Sequence, residues 1–473
     1  MEPPQKESSP IQAQLGLWDA VSIIIGIVIG AGIYETPPLI FSNVHGPWEG
    51  LGVWALGGLL SLVGAFCYAE LATTYPRSGG DYVYLTRAFG PWMGFLFGWA
   101  QLVVIRTGNI GMMAYVFADY ATRLWDFGKG DPRSLTEAQV AFLYAAAAVA
   151  ILSVLNLLGV VFGKGTQNIL TAAKILGLGG ILVAAIFSPA TSSAATVAPS
   201  GVSFGLAMVL VLYTYGGWND AALVAAEQRN PRRNIPLALV LGTVAITVIY
   251  VLVNGAYLLS LGFDGARQSK AVAADVLNRA LGETGSKAIS VLVMVSALGA
   301  INGMIFTGSR VYSMLGKEYS LFAWLGWWHR GLGSPLWSLV AQLAIILAML
   351  AAVGTETGNA LLGLVGLAPA HLEPRSGFSS LLNCTAPAFW IFFLLTGLSL
   401  FVLRFKDQTI ERPFTVPLYP IFPLVFCATC AYMFYSAAAY AGPLALLPGI
   451  LVLAGLIFYG LSRRQASAET HFP

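Results

Sequence analysis

The sequence is short of charge: only 10% of its 473 residues are Asp, Glu, Lys or Arg. Soluble domains carry roughly 25% charged residues, so this chain lacks the polar surface that a fold needs in water. Hydrophobic residues make up 57% of the chain, and its mean hydropathy is +0.73. These proportions exclude an ordinary soluble protein and predict an all-α integral membrane protein.

Residues that carry most enzymatic and metal chemistry are also scarce. The chain has four histidines and four cysteines, and they form no zinc-like spacing. There is no H-E-x-x-H, no G-x-S-x-G and no pair of intramembrane aspartates. These absences argue against an intramembrane enzyme, and we expect no cofactor, no metal and no nucleic-acid partner.

Long apolar runs are abundant instead. A spanning helix needs about 20 mostly apolar residues. Twelve segments qualify: 15–42, 49–75, 91–122, 138–157, 166–188, 202–228, 235–261, 287–315, 335–353, 380–404, 417–439 and 443–462. The polar loop 269–286 is expected to hold a short helix, and the loop 354–379 to be irregular and external.

The placement of Lys and Arg predicts the orientation. With the N-terminus inside, fourteen of them fall on the cytoplasmic side and eight outside, which favours both termini in the cytoplasm. The N-terminal tail shows no cleavable signal pattern, so we expect the first apolar segment to stay as an anchor in the cell membrane.

Two of these segments are interrupted by glycine near mid-depth. The first reads IVIGAGIYETPPLIF from Ile27 to Phe41, and the sixth reads LVLYTYGGWNDAALVAAE from Leu210 to Glu227. Glycine and proline weaken or break helices. Gly-interrupted segments at corresponding positions point to a transporter binding site. Segments one to five and six to ten are therefore predicted to be two halves of like design. Because five is odd, the halves would have opposite topology.

This division predicts the domain organisation. The parts are a cytoplasmic tail at 1–14, five-helix repeats at 15–188 and 202–404 with the 354–379 loop inserted in the second, two further helices at 417–462, and a cytoplasmic tail at 463–473.

An interrupted helix exposes main-chain groups that a continuous helix pairs. One half presents free N–H groups and the other free carbonyls. Such groups are tolerated at depth only where they face protein or a wet cavity. The N–H groups suit a carboxylate and the carbonyls suit an ammonium; an α-amino acid carries both. Glycines in membrane helices also mark close packing, but the recurrence of the break favours a ligand site.

The residues around both breaks resemble a known family. GIVIGAGIYETP at 26–37 resembles the first-helix motif of the amino acid–polyamine–organocation superfamily, and TYGGWNDAALVAAEQRNPRRNIPLAL at 214–239 resembles the sixth-helix signature of its L-type amino acid transporter branch. The resemblance covers essentially the whole chain. It implies a LeuT-type fold of twelve transmembrane helices: a five-plus-five inverted repeat with helices 1 and 6 broken, and two extra C-terminal helices.

The resemblance also implies a set of binding residues. Amides of the first break would hold the substrate carboxylate, and carbonyls of both breaks would take its amino group. The residues so implied are the amides of Gly30, Ala31 and Gly32, the carbonyls of Val28, Tyr213 and Gly216, the aromatic gate Tyr213, and the bordering side chains Asn219 and Asn302.

Lys174 is the clearest ionisable residue inside an apolar segment, and such a residue is a functional hypothesis by default. Sodium-independent members of the family carry a lysine here. Its ammonium would occupy the space that Na⁺ fills in sodium-coupled relatives and would hold the first broken helix to the fifth. A buried lysine can also lose its proton, which leaves proton coupling open, and a lysine near a helix end can snorkel to the surface.

Other charged residues have open roles. Glu35 departs from the family pattern; in the cavity it would favour cationic substrates or take a proton, whereas we expect it to be solvated in the external vestibule. Arg310 would lie at an intracellular gate or at lipid headgroups, and Glu70 and Glu227 would form ion pairs at the inner gate. The sequence leaves the role of Arg106 open.

Two further features narrow the function. Gly216 stands where relatives that accept cationic amino acids can carry an acid, which favours neutral substrates. The loop from Arg123 to Glu137 lacks the cysteine through which animal members link to a glycoprotein, so no disulfide-linked heavy chain is expected. The partners expected are the amino acid and membrane lipid.

The sequence therefore predicts a sodium-independent transporter of neutral L-amino acids, an exchanger or a facilitator that works by alternating access. One alternative is a proton-coupled symporter that uses Lys174. Another is a sensor that binds amino acid without moving it, although the short tails argue against a signalling protein.

Overall fold

The structure, a computed structural model, describes residues 14–77, 79–125, 136–187, 202–269, 271–329, 331–355, 376–441 and 446–462. Within these ranges the only β-pairing consists of two isolated bridges, Leu15 with Gln228 and His329 with Ser334. In the same ranges, eight helices are long and apolar enough to cross a membrane, and three shorter helices are also apolar. The chain is thus a multi-pass, all-α membrane protein, as its composition predicts.

The described residues form eighteen α-helices. In chain order they are α1 Leu17–Val28, α2 Gly32–Glu35, α3 Pro37–Phe41, α4 Pro47–Thr74, α5 Asp81–Phe89, α6 Pro91–Ala100, α7 Arg106–Leu124, α8 Glu137–Leu157, α9 Val160–Phe187, α10 Phe204–Thr214, α11 Asp220–Leu223, α12 Pro231–Gln268, α13 Val272–Leu281, α14 Glu283–Glu318, α15 Leu336–Gly354, α16 Ser376–Lys406, α17 Ile421–Ala441 and α18 Leu446–Leu461. A π-helical segment, Gln101–Ile105, joins α6 to α7. The predicted short helix of loop 269–286 is α13, whereas most of the predicted external loop 354–379 lies outside the described residues.

Local sequence explains where several helices begin. Four of them, α3, α4, α6 and α12, start at a proline, whose fixed φ suits the first position and whose missing N–H is not needed there. The start of α8 is capped instead. The Thr136 hydroxyl accepts a hydrogen bond from the Gln139 amide at 3.3 Å, and the Gln139 side chain accepts one from the Thr136 amide at 2.9 Å.

α14 runs through the centre of the protein. In its apolar part 78% of the residues are buried, against 33% for α9 and 28% for α15. Ser296, Asn302, Thr307 and Arg310 on this helix are all buried. Polar side chains inside a membrane bundle bond across helices, so α14 is the helix around which the polar groups of the interior are arranged.

Candidate substrate-binding site

The first interrupted helix breaks between α1 and α2, at Ile29 to Ala31. The Gly30 amide folds back onto the Val28 carbonyl at 2.8 Å. Within the described residues, the amides of Ala31 and Gly32 donate to no protein acceptor. These two N–H groups are therefore available to an anion, as is usual where a helix starts again after a break.

The second interrupted helix breaks between α10 and α11. Gly217 has a φ of +111°, a conformation that glycine adopts without steric cost. The Gly216 amide donates to the Tyr213 carbonyl at 3.0 Å. In the described part of the chain, the carbonyls of Tyr215 and Gly216 accept no hydrogen bond. This break therefore offers acceptors, where the first offers donors.

The two breaks are packed directly against each other. A Cβ atom on Gly32 would lie 2.7 Å from Cγ2 of Thr214, and one on Gly217 would lie 2.6 Å from Cγ2 of Ile27. The hydroxyl of Tyr250, on α12, lies 2.8 Å from the Val28 carbonyl and 3.2 Å from that of Thr214. Glycine is needed at both places because any side chain would push the broken helices apart.

A cavity of about 120 Å³ lies between the breaks. Seven of the residues predicted to bind substrate line it: Val28, Gly30, Ala31, Gly32, Tyr213, Gly216 and Asn219. The Tyr213 hydroxyl lies 3.0 Å from the sulfur of Met112. The Asn219 side chain is buried, and its Oδ1 accepts no hydrogen bond within the described residues.

Three of the predicted groups are engaged elsewhere. The Val28 carbonyl accepts from both the Gly30 amide and the Tyr250 hydroxyl, which uses both of its lone pairs. Asn302 does not line the cavity; it accepts from Asn156 at 2.8 Å and donates to Gln167 at 2.9 Å. Protein groups thus already bond the Val28 carbonyl, the Gly30 amide and Asn302, and the assignment of these groups to the ligand stays a prediction.

Lys174 is buried beside the first break. Its Nζ donates to the carbonyls of Gly26 at 2.8 Å, Ile29 at 2.7 Å and Ser296 at 3.0 Å. An ammonium has three N–H groups for these three acceptors, whereas a neutral amine has only two. Lys174 thus ties the end of α1 to α9 and α14, and the geometry fits its charged form.

Arg106 and Asp220 form a buried ion pair on the cavity wall. Arg106 donates to the two carboxylate oxygens of Asp220 at 2.5 and 3.1 Å, and the Thr307 hydroxyl adds a third bond at 2.8 Å. A buried ion pair is tolerated when its polar atoms are well bonded in this way. The sequence identified Arg106 only as an ionisable residue inside an apolar segment. It did not point to Asp220, because a single residue at the start of a short helix forms no recognisable pattern.

Ion pairs also join helix ends at the membrane face where α1 begins. Arg310 binds Glu227 at 2.7 and 3.0 Å, and both side chains are 2% exposed. Arg404 binds Glu70 at 2.8 and 2.5 Å. Arg310 therefore faces the protein and not lipid headgroups. The predicted involvement of both glutamates in ion pairs agrees with these contacts, although only the structure names their partners.

Glu35 lies away from this cavity. Its side chain is exposed to solvent at the end of α2, and it is not among the cavity-lining residues. The expectation that Glu35 is solvated in an external vestibule stays a prediction.

Comparison with known proteins places the chain in a family. Residues 15–456 match the amino acid permease family. The chain is 30% identical to the human b(0,+)-type amino acid transporter 1 over 97% of its own length and 89% of that protein. It is 27% identical to the serine/threonine exchanger SteT of Bacillus subtilis over 98% and 99%, and 30% identical to the human cystine/glutamate transporter over 97% and 87%. As its motifs predict, the chain belongs to the amino acid permease family within the amino acid–polyamine–organocation superfamily, whose members are membrane transport proteins and not enzymes.

Proposed function

We propose that the protein carries amino acids across the membrane by alternating access, independently of sodium. One observation carries this proposal: two interrupted helices meet at a single cavity, one with unpaired amides and the other with unpaired carbonyls. The amides of Ala31 and Gly32 would bind the carboxylate. The Gly216 carbonyl and Oδ1 of Asn219 would accept from the ammonium. A zwitterion satisfies both ends at once.

Neutral side chains suit this cavity best. Gly216 contributes no charge at the carbonyl side, and the Glu35 carboxylate is exposed elsewhere. Apolar residues such as Met113, Ala300 and Phe389 line the remaining wall. Neutral L-amino acids are therefore the proposed substrates. That one relative is named an exchanger supports exchange over simple facilitation.

Sodium independence rests on Lys174. Its ammonium holds three carbonyl oxygens that a bound cation would otherwise share, so the site already contains its positive charge. Proton coupling through Lys174 is the second candidate. It has less support, because a neutral amine could donate to only two of the three carbonyls that Lys174 now contacts.

The architecture proposed is the twelve-helix fold with an inverted repeat. The eight long apolar helices each make one crossing. Four more crossings would come from α1–α3, α6–α7, α10–α11 and α18, which gives twelve crossings. Both termini would lie in the cytoplasm and the chain would reside in the cell membrane. It would act without a disulfide-linked heavy chain, since the loop 123–137 has no cysteine.

Reconstitution into proteoliposomes tests the proposal. We expect labelled neutral L-amino acid to enter vesicles preloaded with unlabelled amino acid, equally well in sodium and in choline buffer. Lys174→Ala should insert normally and lose transport, whereas Lys287→Ala, an exposed lysine, should behave as wild type. Transport that requires sodium, or full activity of Lys174→Ala without any sodium or pH effect, would refute the role of Lys174. Absence of any amino acid uptake would refute the transport function.

A further inference from the structure

Asp81 is a buried carboxyl group that the proposed amino acid site leaves unexplained. It is the first residue of α5, it is 2% exposed, and it lines the same cavity as the two breaks. Its Oδ1 accepts hydrogen bonds from the hydroxyls of Tyr68 and Thr396, the latter at 2.7 Å. Its Oδ2 is buried and has no partner within the described residues. Half of the acceptor capacity of this carboxyl is therefore unused.

The charges on the cavity wall do not balance. Asp81, Arg106 and Asp220 are the Asp, Glu, Lys and Arg residues that line the cavity. Arg106 gives both of its terminal nitrogens to Asp220. Among the described residues Asp81 has no ion-pair partner of its own. A buried carboxylate without a partner is costly, and it is normally neutralised by a proton or a cation.

Within the described residues, Arg106 is the one Lys or Arg side chain that lines the cavity. Tyr68 on α4 and Tyr84 on α5 are phenols that stay neutral near pH 7. Arg106 on α7 and Asp220 on α11 are committed to each other. α6 has no ionisable residue, and neither has the stretch FFLLTGLSL of α16, from 392 to 400. Among the described residues that line the cavity, two carboxyl groups therefore stand against one guanidinium.

α5 lies between two spanning helices and contacts the second broken helix. α5 connects α4 to α6 and is not one of the spanning helices. The Gly79 amide, two residues before Asp81, donates to the Leu223 carbonyl at 3.0 Å, which seats the start of α5 against the second broken helix. Burial raises the pKa of the Asp81 carboxyl to about 6, although the hydrogen bonds from Tyr68 and Thr396 act in the opposite direction.

We propose that Asp81 is a proton-binding site on the wall of the transport cavity, and that amino acid binding from the face where α1 begins depends on this proton. The proposal rests on the proposed transport function. Protonation removes one negative charge from the wall, so the substrate carboxylate enters against less repulsion. Lys174 is a separate group on α9 and does not line this cavity.

The pH dependence of exchange tests the proposal on the full-length protein in proteoliposomes. The pH is varied from 5 to 8 on the side where α1 begins, and KM for a neutral L-amino acid is measured on that side. We expect wild-type KM to rise about threefold or more over this range as Asp81 loses its proton. Asp81→Asn, which keeps the shape of the side chain without its charge, should show at every pH the KM of wild type at pH 5.

Controls separate this site from the alternatives. Glu35→Gln, which removes an exposed carboxylate, should keep the wild-type pH profile. A pH-independent wild type overturns the proposal, and so does an Asp81→Asn variant with the wild-type profile. pH-independent exchange leaves the transport function standing, whereas no exchange at any pH refutes both.

If Asp81→Asn does not fold, a measurement on the wild-type protein still tests the proposal. Detergent-solubilised protein in weakly buffered solution with a pH-sensitive dye, near pH 7, should take up protons when a neutral L-amino acid is added. Binding without proton uptake overturns the proposal.

Discussion

Gly32→Val should weaken substrate binding, because a side chain at Gly32 would collide with the second broken helix. A Cβ atom at this position would lie 2.7 Å from Cγ2 and 3.1 Å from Oγ1 of Thr214. Both side chains would then be β-branched and stiff, so the backbone of one break has to move. Overpacking of this kind costs about 1–3 kcal/mol. If that cost falls on the bound state, affinity drops roughly five- to 150-fold, since 1.4 kcal/mol is a factor of ten.

The assay is binding of labelled neutral L-amino acid to purified protein, with exchange in proteoliposomes alongside. Gly180→Val is a matched control, since a Cβ at this glycine of α9 meets nothing within 4 Å. It should bind and transport as wild type does. Normal affinity in Gly32→Val, with the protein folded, would show that the substrate does not use the amides of this break and would refute the carboxylate assignment.

Three further predictions use residues outside the breaks. Glu35→Val should leave an amino acid competition panel unchanged, because the carboxylate is exposed away from the cavity; a shift toward or away from cationic amino acids would contradict this. Glu227→Gln should destabilise the protein by about 3–5 kcal/mol, because it leaves the guanidinium of Arg310 buried without its charge partner. Thermal unfolding in detergent measures this, and the double replacement of both residues by Met should cost less. Burial acts to raise the pKa of Asp407, but the hydrogen bond from Arg87 and its other partners hold it below the usual value. The stability from ionised Asp407 is therefore present above the unfolded pKa near 3.9 and is lost as pH falls through the lower folded value. Asp407→Asn should accordingly be less stable than wild type at pH 7 and approach it below about pH 4; a difference that does not change with pH would contradict the ion pair.

Hydropathy located the helices well because a membrane span is set by length and composition. The segment predicted at 49–75 is the helix Pro47–Thr74, and the one at 91–122 runs from Pro91 to Leu124. The glycine pairs located both breaks, since Gly217 adopts a φ that other residues avoid. Hydropathy and glycine positions depend only on neighbouring residues, so one sequence is enough to identify them.

The sequence could not predict which side chains bond to each other. Asn302 is predicted from the sequence to border the substrate, yet it bonds to Asn156 and Gln167, more than 130 residues away in the chain. Asp220 gave no signal until Arg106 was seen beside it. Hydrogen-bond partners depend on which helices are neighbours and on how each is rotated, and hydropathy specifies neither.

The sequence by itself determined that this protein lives in a membrane, that two of its helices are broken by glycine, and that it belongs with the amino acid permeases. Tertiary structure alone decided that the breaks meet at one cavity, that Lys174 donates to three carbonyls, and that Asp81 has no ion-pair partner among the described residues. The physical reason is the distance along the chain over which each property is set. Helix formation and burial in lipid depend on neighbouring residues. The balance of charge and hydrogen bonds in a cavity depends on side chains that are far apart in sequence and that only folding brings together.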